Sequence, residues 1–414
     1  MTLLTDTGLD VDPQEVESAI RDAVDEASER IVRLSQEIGR DPELAFQEHR
    51  AAARVAATLH DSGFAVTTGV YGLDTAVEAI YGSGEMTVAV VGEYDALPGV
   101  GHACGHNVIA AAGVGAAVGL AAVADRLGLR VKFLGTPAEE LGGGKILMLE
   151  AGAWDDAAFS LMVHGGPFAQ IASSGFVTQA YERIIATFHG RAAHAAAMPH
   201  EGVNAGDAVT LAQVGLGLLR QQLRRTVVVG SFVVEAGGAT NVIPERGVLE
   251  VEIRGNTADE WRDARKRVRD VLAGAALASG CRVEIDRPEK PYAPLDPDAD
   301  ISRFFDEAMT GMGYDLLPAP AGMGGGSTDM GNVSQYLPSI HPMIALRGVE
   351  AVPHHQSFAE AAVSSAGDIA AVDGALALAL AAARAASDTV VRARLIDAQR
   401  TRAPYAPEPE DDLG

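Results

Sequence analysis

At 414 residues the chain exceeds one ordinary domain, so two are expected, each long enough to bury a core. With 48% hydrophobic and 21% charged residues it is globular rather than disordered, and a net charge of -24 would repel a phosphate backbone, which argues against nucleic-acid binding. Two cysteines, Cys104 and Cys281, are too few for a disulfide framework and suit a reducing cytoplasm; the first residues show no basic stretch followed by an apolar one, so no signal peptide is expected.

Asp12-Pro13-Gln14-Glu15 reads as a helix start, with Asp as N-cap and Pro at the first position, and the helix is expected to run to about Gly39. A second helix covers roughly Glu48 to Ser62. Thr75–Tyr81 and Met86–Val91 are strand-like runs around Gly82-Ser83-Gly84 and resemble a hairpin. The apolar stretch Val108–Ala124 is short and weakly hydrophobic for a membrane span, so a buried helix against a sheet is expected and no membrane partner. Val131–Leu134 and Phe159–Val163 are further short strands, and their alternation with helices predicts an α/β fold with a mostly parallel mixed sheet flanked by helices. From Thr178 the pattern changes. Strands at Tyr181–Phe188, Val227–Glu235, Arg246–Arg254 and Arg282–Asp286, with helices at Val203–Gln222 and Ala258–Ser279, give the β-α-β-β-α-β order of a ferredoxin-like unit. Pro288, Pro291, Pro294 and Pro297 mark a return to the first domain. The expected organisation is therefore residues 1–177 and 289–402 as one domain, 178–288 inserted into it, and a disordered acidic tail over 403–414. A single Ala-rich helix is expected over Ala366–Arg394.

The chemistry-bearing residues follow the strand runs. Gly101-His102-Ala103-Cys104-Gly105-His106-Asn107 places two soft ligands, Cys104 and His106, in one turn after Val88–Val91. Glu139-Glu140 follows Val131–Leu134, His164 follows Val163, and His354-His355 lies near the C-terminus. Sites in open α/β sheets form beyond the carboxyl ends of strands, so these segments should converge. Cys104, His106, Glu140, His164 and one of His354/His355 then hold one or two divalent ions, leaving Glu139 to take a proton from the attacking water. In extended backbone the two adjacent glutamates would point to opposite sides and so divide these tasks. Asp95 is equally an orienting carboxylate behind a ligand or a turn residue, and His164 alone is equally a satisfied polar residue; His102 is left as a turn residue. A thiol nucleophile at Cys104 with His106 as base is the competing reading, but it leaves Glu139, Glu140 and His164 unexplained.

In the inserted segment, His194 and Asn241 are candidate donors to a developing oxyanion and Arg254 a partner for a substrate carboxylate, although on the residues alone loop hydrogen bonds and a surface ion pair are preferred. Gly322–Asp329 lacks the ending of a phosphate loop and reads as a glycine-rich pocket lining, with Gly326 and Ser327 as substrate contacts.

Taken in order, Gly92–Pro98, Gly101–Asn107, Gly135–Glu140, His164, Gly190–His194, Asn241–Pro244, Gly326–Asp329 and His354–Phe358 resemble the aminoacylase/carboxypeptidase family of metallopeptidases, in particular the branch of auxin-conjugate amidohydrolases, hippurate hydrolases and p-aminobenzoyl-glutamate hydrolases. The resemblance implies a zinc-peptidase-like catalytic domain and an inserted dimerisation domain. It implies Cys104, His106, Glu140, His164 and His354 as ligands, with His354 preferred because the family's last ligand stands four residues before an aromatic, here Phe358. It further implies Glu139 as general base, a homodimer in which His194 reaches the partner's site, and Asn241 and Arg254 as substrate contacts. Asn107 stands where many relatives carry Asp, which bears on metal stoichiometry and substrate. The expected activity is hydrolysis of the amide bond of small N-acyl amino acids or dipeptides with zinc or manganese, or cobalt. The alternatives are a carbamoyl or ureido amide hydrolase and a non-catalytic metal-binding scaffold.

Overall fold

The computed structural model describes residues 11–319 and 326–407. Helix α1 (Pro13–Arg40) begins where the Asp12 carboxylate accepts a hydrogen bond from the Gln14 amide, and Val16, Ile20, Val24, Ala27, Ile31, Leu34 and Ile38 form its buried stripe at helical spacing. Helix α2 (His49–Asp61), strand β1 (Ala65–Thr68), strand β2 (Val77–Tyr81) and strand β3 (Met86–Glu93) follow. Next come α3 (His106–Ala121), the short α4 (Ala124–Leu127), β4 (Leu129–Thr136), α5 (Gly144–Glu150), β5 (Phe159–Leu161) and β6 (His164–Gly166).

The main sheet has the order β1-β2-β4-β3-β5, with β13 (Ser339–Ile340) beyond β5. Strands β4, β3, β5 and β13 run parallel; β1 and β2 are antiparallel to their neighbours. The hairpin expected at Gly82–Gly84 therefore does not form, because β4 lies between β2 and β3. The glycines serve another purpose. A Cβ on Gly84 would lie 2.0 Å from the Gly128 carbonyl carbon, and one on Gly82 would lie 2.7 Å from the Leu129 oxygen, so both admit the chain entering β4. All eight residues of β3 are buried, as a central parallel strand requires.

Helix α3 is made of small residues because it is gripped on two sides. A side chain on Gly115 would meet Ile31 of α1 at 2.6 Å and Ala375 of α11 (Ser365–Ser387) at 2.7 Å. By length and composition α11 would suffice to cross a membrane, yet most of it is buried in this core. The helix expected over Ala366–Arg394 is two helices. Asp388 adopts extended backbone after α11, and its carboxylate accepts from the Val390 and Val391 amides to start α12 (Thr389–Thr401). Beyond α12, Tyr405 lies edge-on to Tyr336, with ring centroids 5.5 Å apart.

The described residues form two compact units, one comprising 11–176, 295–319 and 332–407, the other 177–294 and 326–331. The second unit contains β7 (Ala180–His189), β8 (Ala193–His194), α6 (Ala205–Arg220), β9 (Val227–Glu235), β10 (Val242–Ile243), β11 (Arg246–Gly255), α7 (Ala258–Ser279) and β12 (Arg282–Asp286). Its antiparallel sheet has the order β12-β7-β11-β9, the ferredoxin-like arrangement, with its own core around Phe188, Leu216, Leu249, Ile253, Trp261 and Leu272. The remaining elements are α8 (Ala299–Gly311), α9 (Met330–Tyr336), β14 (Met343–Ala345), which pairs with β6, and α10 (Gln356–Ala362).

Candidate metal centre

Because β3, β4 and β5 are parallel, with Glu93 opposite Thr136, their carboxyl ends share one edge. Glu93 ends β3, Asp95 follows two residues later, Glu139 and Glu140 lie just beyond β4, and His164 opens β6 after β5. Cys104 and His106 are joined by Gly105, which adopts left-handed backbone at φ 77° and lies against the Phe358 ring; His106 is the first residue of α3. His354 also sits at positive φ, 65°, and its N–H donates to the Ala103 carbonyl at 2.9 Å, tying its loop to the cysteine turn.

Ligand atoms of Cys104, Glu140 and His354 lie within 4.8 Å of one another. The same holds for His106, Glu139 and Glu140, and for Glu93, His106 and His164. The structure thus brings together the thiol, three imidazoles and the glutamate pair foreseen in the sequence. His355 is set apart: its ring accepts from the Ser357 amide and caps α10.

His106 is the hub. Its Nδ1 is 2.8 Å from the Asp95 carbonyl and 3.1 Å from the Asp95 carboxylate, so Nδ1 donates and, in the neutral ring, Nε2 presents a lone pair. That Nε2 faces Glu93 at 3.3 Å and Glu139 and Glu140 at 3.8 Å each. The Asp95 carboxylate also accepts from the Glu140 amide at 2.9 Å, so one side chain orients both a ligand-type imidazole and the glutamate turn. His164 is arranged similarly, with Nδ1 2.7 Å from the Gly165 carbonyl, leaving Nε2 available.

The two glutamates are not in extended backbone and do not point to opposite sides. They lie in a turn after Ala138, which has φ 57°, and both carboxylates approach the same His106 nitrogen. The turn is held by buried Glu48, which accepts from the Ala138 amide at 2.9 Å and from the Thr75 hydroxyl at 2.8 Å.

The electrostatics fit a cation. Burial pushes the Cys104 thiol far above its usual range and the adjacent Glu140 carboxylate pushes it further. Burial alone would lower His106, but Glu93 and Asp95 override it and raise it strongly. Burial keeps His164 low. Among the described residues His106 Nε2, Glu93 Oε1 and Glu140 Oε1 are buried with no hydrogen-bond partner, a chemistry that suits donors to a metal. With thiol, imidazole and carboxylate donors, the residues present fit a divalent transition ion.

Three participants were not foreseen from the sequence. Glu93 is fully buried and ion-paired with fully buried Lys145, and the buried His341 ring lies tilted against that of His164, centroids 5.6 Å apart. The available signal was a charged residue inside an apolar run, Val88–Glu93 and Gly144–Leu149, since such residues are buried only when paired.

In the second unit His194 is not in a loop but in β8, pairing with Val242, and the Ala195 amide donates to the Asn241 carbonyl, so His194 and Asn241 share one ribbon. The Ala196 and Ala197 amides donate to His194 Nδ1, which places the proton on exposed Nε2 as a donor. Arg254 bonds Glu252 and, at 3.3 Å, the Ser327 hydroxyl, and stacks over Tyr181. Gly326 accepts from the Gln179 amide; Gly322–Gly325 of the expected pocket lining lie outside the described residues.

A parallel-sheet edge carrying thiol, imidazole and carboxylate donors around unsatisfied lone pairs defines a metal-dependent hydrolase of the α/β class. The chain belongs to Peptidase family M20/M25/M40, whose model matches residues 88–371, and it acts on amide bonds. It is 36% identical over 393 residues to the Xaa-Arg dipeptidase of Mus musculus, covering 91% of this chain and 89% of that protein. It is 32% identical over 305 residues to one of the p-aminobenzoyl-glutamate hydrolase polypeptides of Escherichia coli (strain K12), covering 68% of this chain and 63% of that one. Among solved structures it resembles a dinuclear metal-binding peptidase of the M20 family from Bacillus subtilis, with TM-score 0.64, 23% identity, and coverage of 84% of this chain and 97% of that one.

Proposed function

We propose that this enzyme hydrolyses the amide bond of dipeptides and small N-acyl amino acids, p-aminobenzoyl-glutamate-like compounds included. The carrying observation is the convergence of Cys104, Glu140 and His354, and of His106 with Glu139 and Glu140, at one sheet edge. Cys104, His106, Glu140, His164 and His354 hold one or two divalent ions, zinc or manganese, with cobalt as a substitute. Bound there, the ions supply Lewis-acid polarisation of the scissile carbonyl and make the attacking water more acidic.

Glu139 takes the proton from that water as its oxygen bonds to the carbonyl carbon. The same carboxyl then delivers the proton to the amide nitrogen as the C–N bond breaks. Asp95 fixes the His106 tautomer. His194, with its proton on Nε2, donates to the developing oxyanion; Asn241, Arg254, Gly326 and Ser327 bind the substrate, the guanidinium pairing with its carboxylate. We place the enzyme in the cytoplasm as a homodimer formed through the inserted unit.

The test is chelation followed by metal add-back, assayed on dipeptides that include Xaa-Arg, on N-acyl amino acids and on p-aminobenzoyl-glutamate. Activity should vanish and return with metal. Glu139→Gln should retain metal by elemental analysis while kcat falls by about 10²–10⁴. Turnover that survives complete metal removal rejects the proposal; undiminished turnover in Glu139→Gln removes that residue from the role.

A further inference from the structure

The buried Glu93–Lys145 pair stands beside the ligand set without a place in it. Glu93 ends β3, Lys145 is in the first turn of α5, and both are fully buried. Lysine Nζ binds Oε2 of the carboxylate, while Oε1 is buried with no hydrogen-bond partner among the described residues. A structural ion pair in an apolar interior should satisfy both oxygens, because a buried acceptor left unpaired forfeits its hydration without return.

The direction of the free oxygen is informative. It is 3.3 Å from His106 Nε2, and the two groups form a cluster with His164 in which ligand atoms lie within 4.8 Å. Both imidazoles spend Nδ1 on oxygen acceptors, so the nitrogen each leaves available is Nε2. Two lone-pair nitrogens and a carboxylate oxygen gathered in a buried space attract a cation. The spacing agrees: nitrogen and oxygen ligands at about 2.1 Å from a tetrahedral ion are roughly 3.4 Å apart, whereas a good hydrogen bond would bring them to about 2.9 Å.

We infer that Glu93 Oε1 is a further metal ligand, completing a subsite with His106 and His164, and that Lys145 is the positioning residue that turns this oxygen toward the ion. Cys104, Glu140 and His354 form the other subsite. The inference rests on the metal-centre reading above and assigns each ion its own set of donors. Lys145 leaves one oxygen to ligate, so Glu93 binds monodentately, and its positive charge offsets part of the negative charge that Glu93, Asp95, Glu139 and Glu140 gather around His106.

The experiment uses the full chain, stripped of metal by chelation and shown folded by circular dichroism, then titrated calorimetrically with Zn²⁺ and spectroscopically with Co²⁺. The wild type should bind two ions. Glu93→Gln keeps an acceptor for Lys145 but turns an NH₂ toward the imidazoles. It should bind one ion as the wild type does, with the Cys104 thiolate-to-cobalt band intact, and the other at least about tenfold to a hundredfold more weakly. Wild-type affinity for both ions in Glu93→Gln overturns the role of Glu93 and leaves the metal centre standing; a wild type that binds neither ion sinks both readings. Anomalous scattering from wild-type crystals soaked in zinc tests the same point without a variant. Glu93 Oε1 should lie about 2.0–2.2 Å from an ion shared with His106 and His164; an ion on those imidazoles with Glu93 out of reach overturns the inference.

Discussion

Asn107 shows what a single buried residue beside the candidate metal centre can hold together. It follows His106, is fully buried, and its amide donates to the Ser35 carbonyl, the Ser35 hydroxyl at 3.0 Å and the Ala362 carbonyl at 3.0 Å. One side chain therefore joins α1, α3 and the end of α10. A carboxylate in the same place would direct its charge at two carbonyl oxygens with only the Ser35 hydroxyl able to donate to it, and buried charge so poorly compensated is expensive. Asn107→Asp should therefore destabilise the protein by about 3 kcal/mol, read as a lowered midpoint in urea with an unchanged slope. An unchanged midpoint would show that the site tolerates the acid. The residues visible in the sequence were those whose signal is local: Cys104 and His106 stand in one turn. His164 gave a weaker signal, its place directly after the strand run Phe159–Val163, which counts only once that strand reaches the edge that β3 and β4 share. Glu93 was hidden within the Gly92–Pro98 motif, since nothing in the chain order relates it to Lys145.

Among the elements, α3 has the least ordinary composition and the clearest reason for it. Gly115 is mid-helix, where glycine costs about 0.5–1 kcal/mol relative to alanine, yet a methyl group there would press on Ile31 and Ala375 at 2.6 and 2.7 Å. Gly115→Ala should thus cost about 1–3 kcal/mol through overpacking. Gly274 of α7 is the control: it is exposed, nothing lies within 4 Å of an added Cβ, and Gly274→Ala should stabilise by about 0.5–1 kcal/mol. If both substitutions stabilise, the three helices have room to separate and the close-packing argument fails. The same distinction explains what the sequence pattern revealed. Helices with capping residues and a hydrophobic stripe, such as α1 and α7, were legible because their signals are local. The supposed hairpin was not, because a glycine that makes a turn and a glycine that lets another strand pass look identical in one dimension.

For the molecule as a whole, the decisive surface lies on the inserted unit. Its sheet ends at β9, whose outer edge has no partner strand among the described residues, and Val228, Phe232 and Val234 are exposed on one face of that strand. Helix α6 of the same unit exposes Leu211, Val214 and Leu218 at helical spacing. An uncovered apolar face on an edge strand is suited to pairing with another chain, and the proposed homodimer would use it. In a twofold interface each residue is used twice, so Phe232→Glu places two unpaired carboxylates in it. With about 3 kcal/mol for each, the dimer dissociation constant should rise about ten-thousandfold. Light scattering on eluted protein should then report a dimer for the wild type and a monomer for Phe232→Glu, with circular dichroism unchanged because Phe232 is exposed within its own unit. A wild type that elutes as a monomer, or a variant that remains a dimer, would place the interface elsewhere.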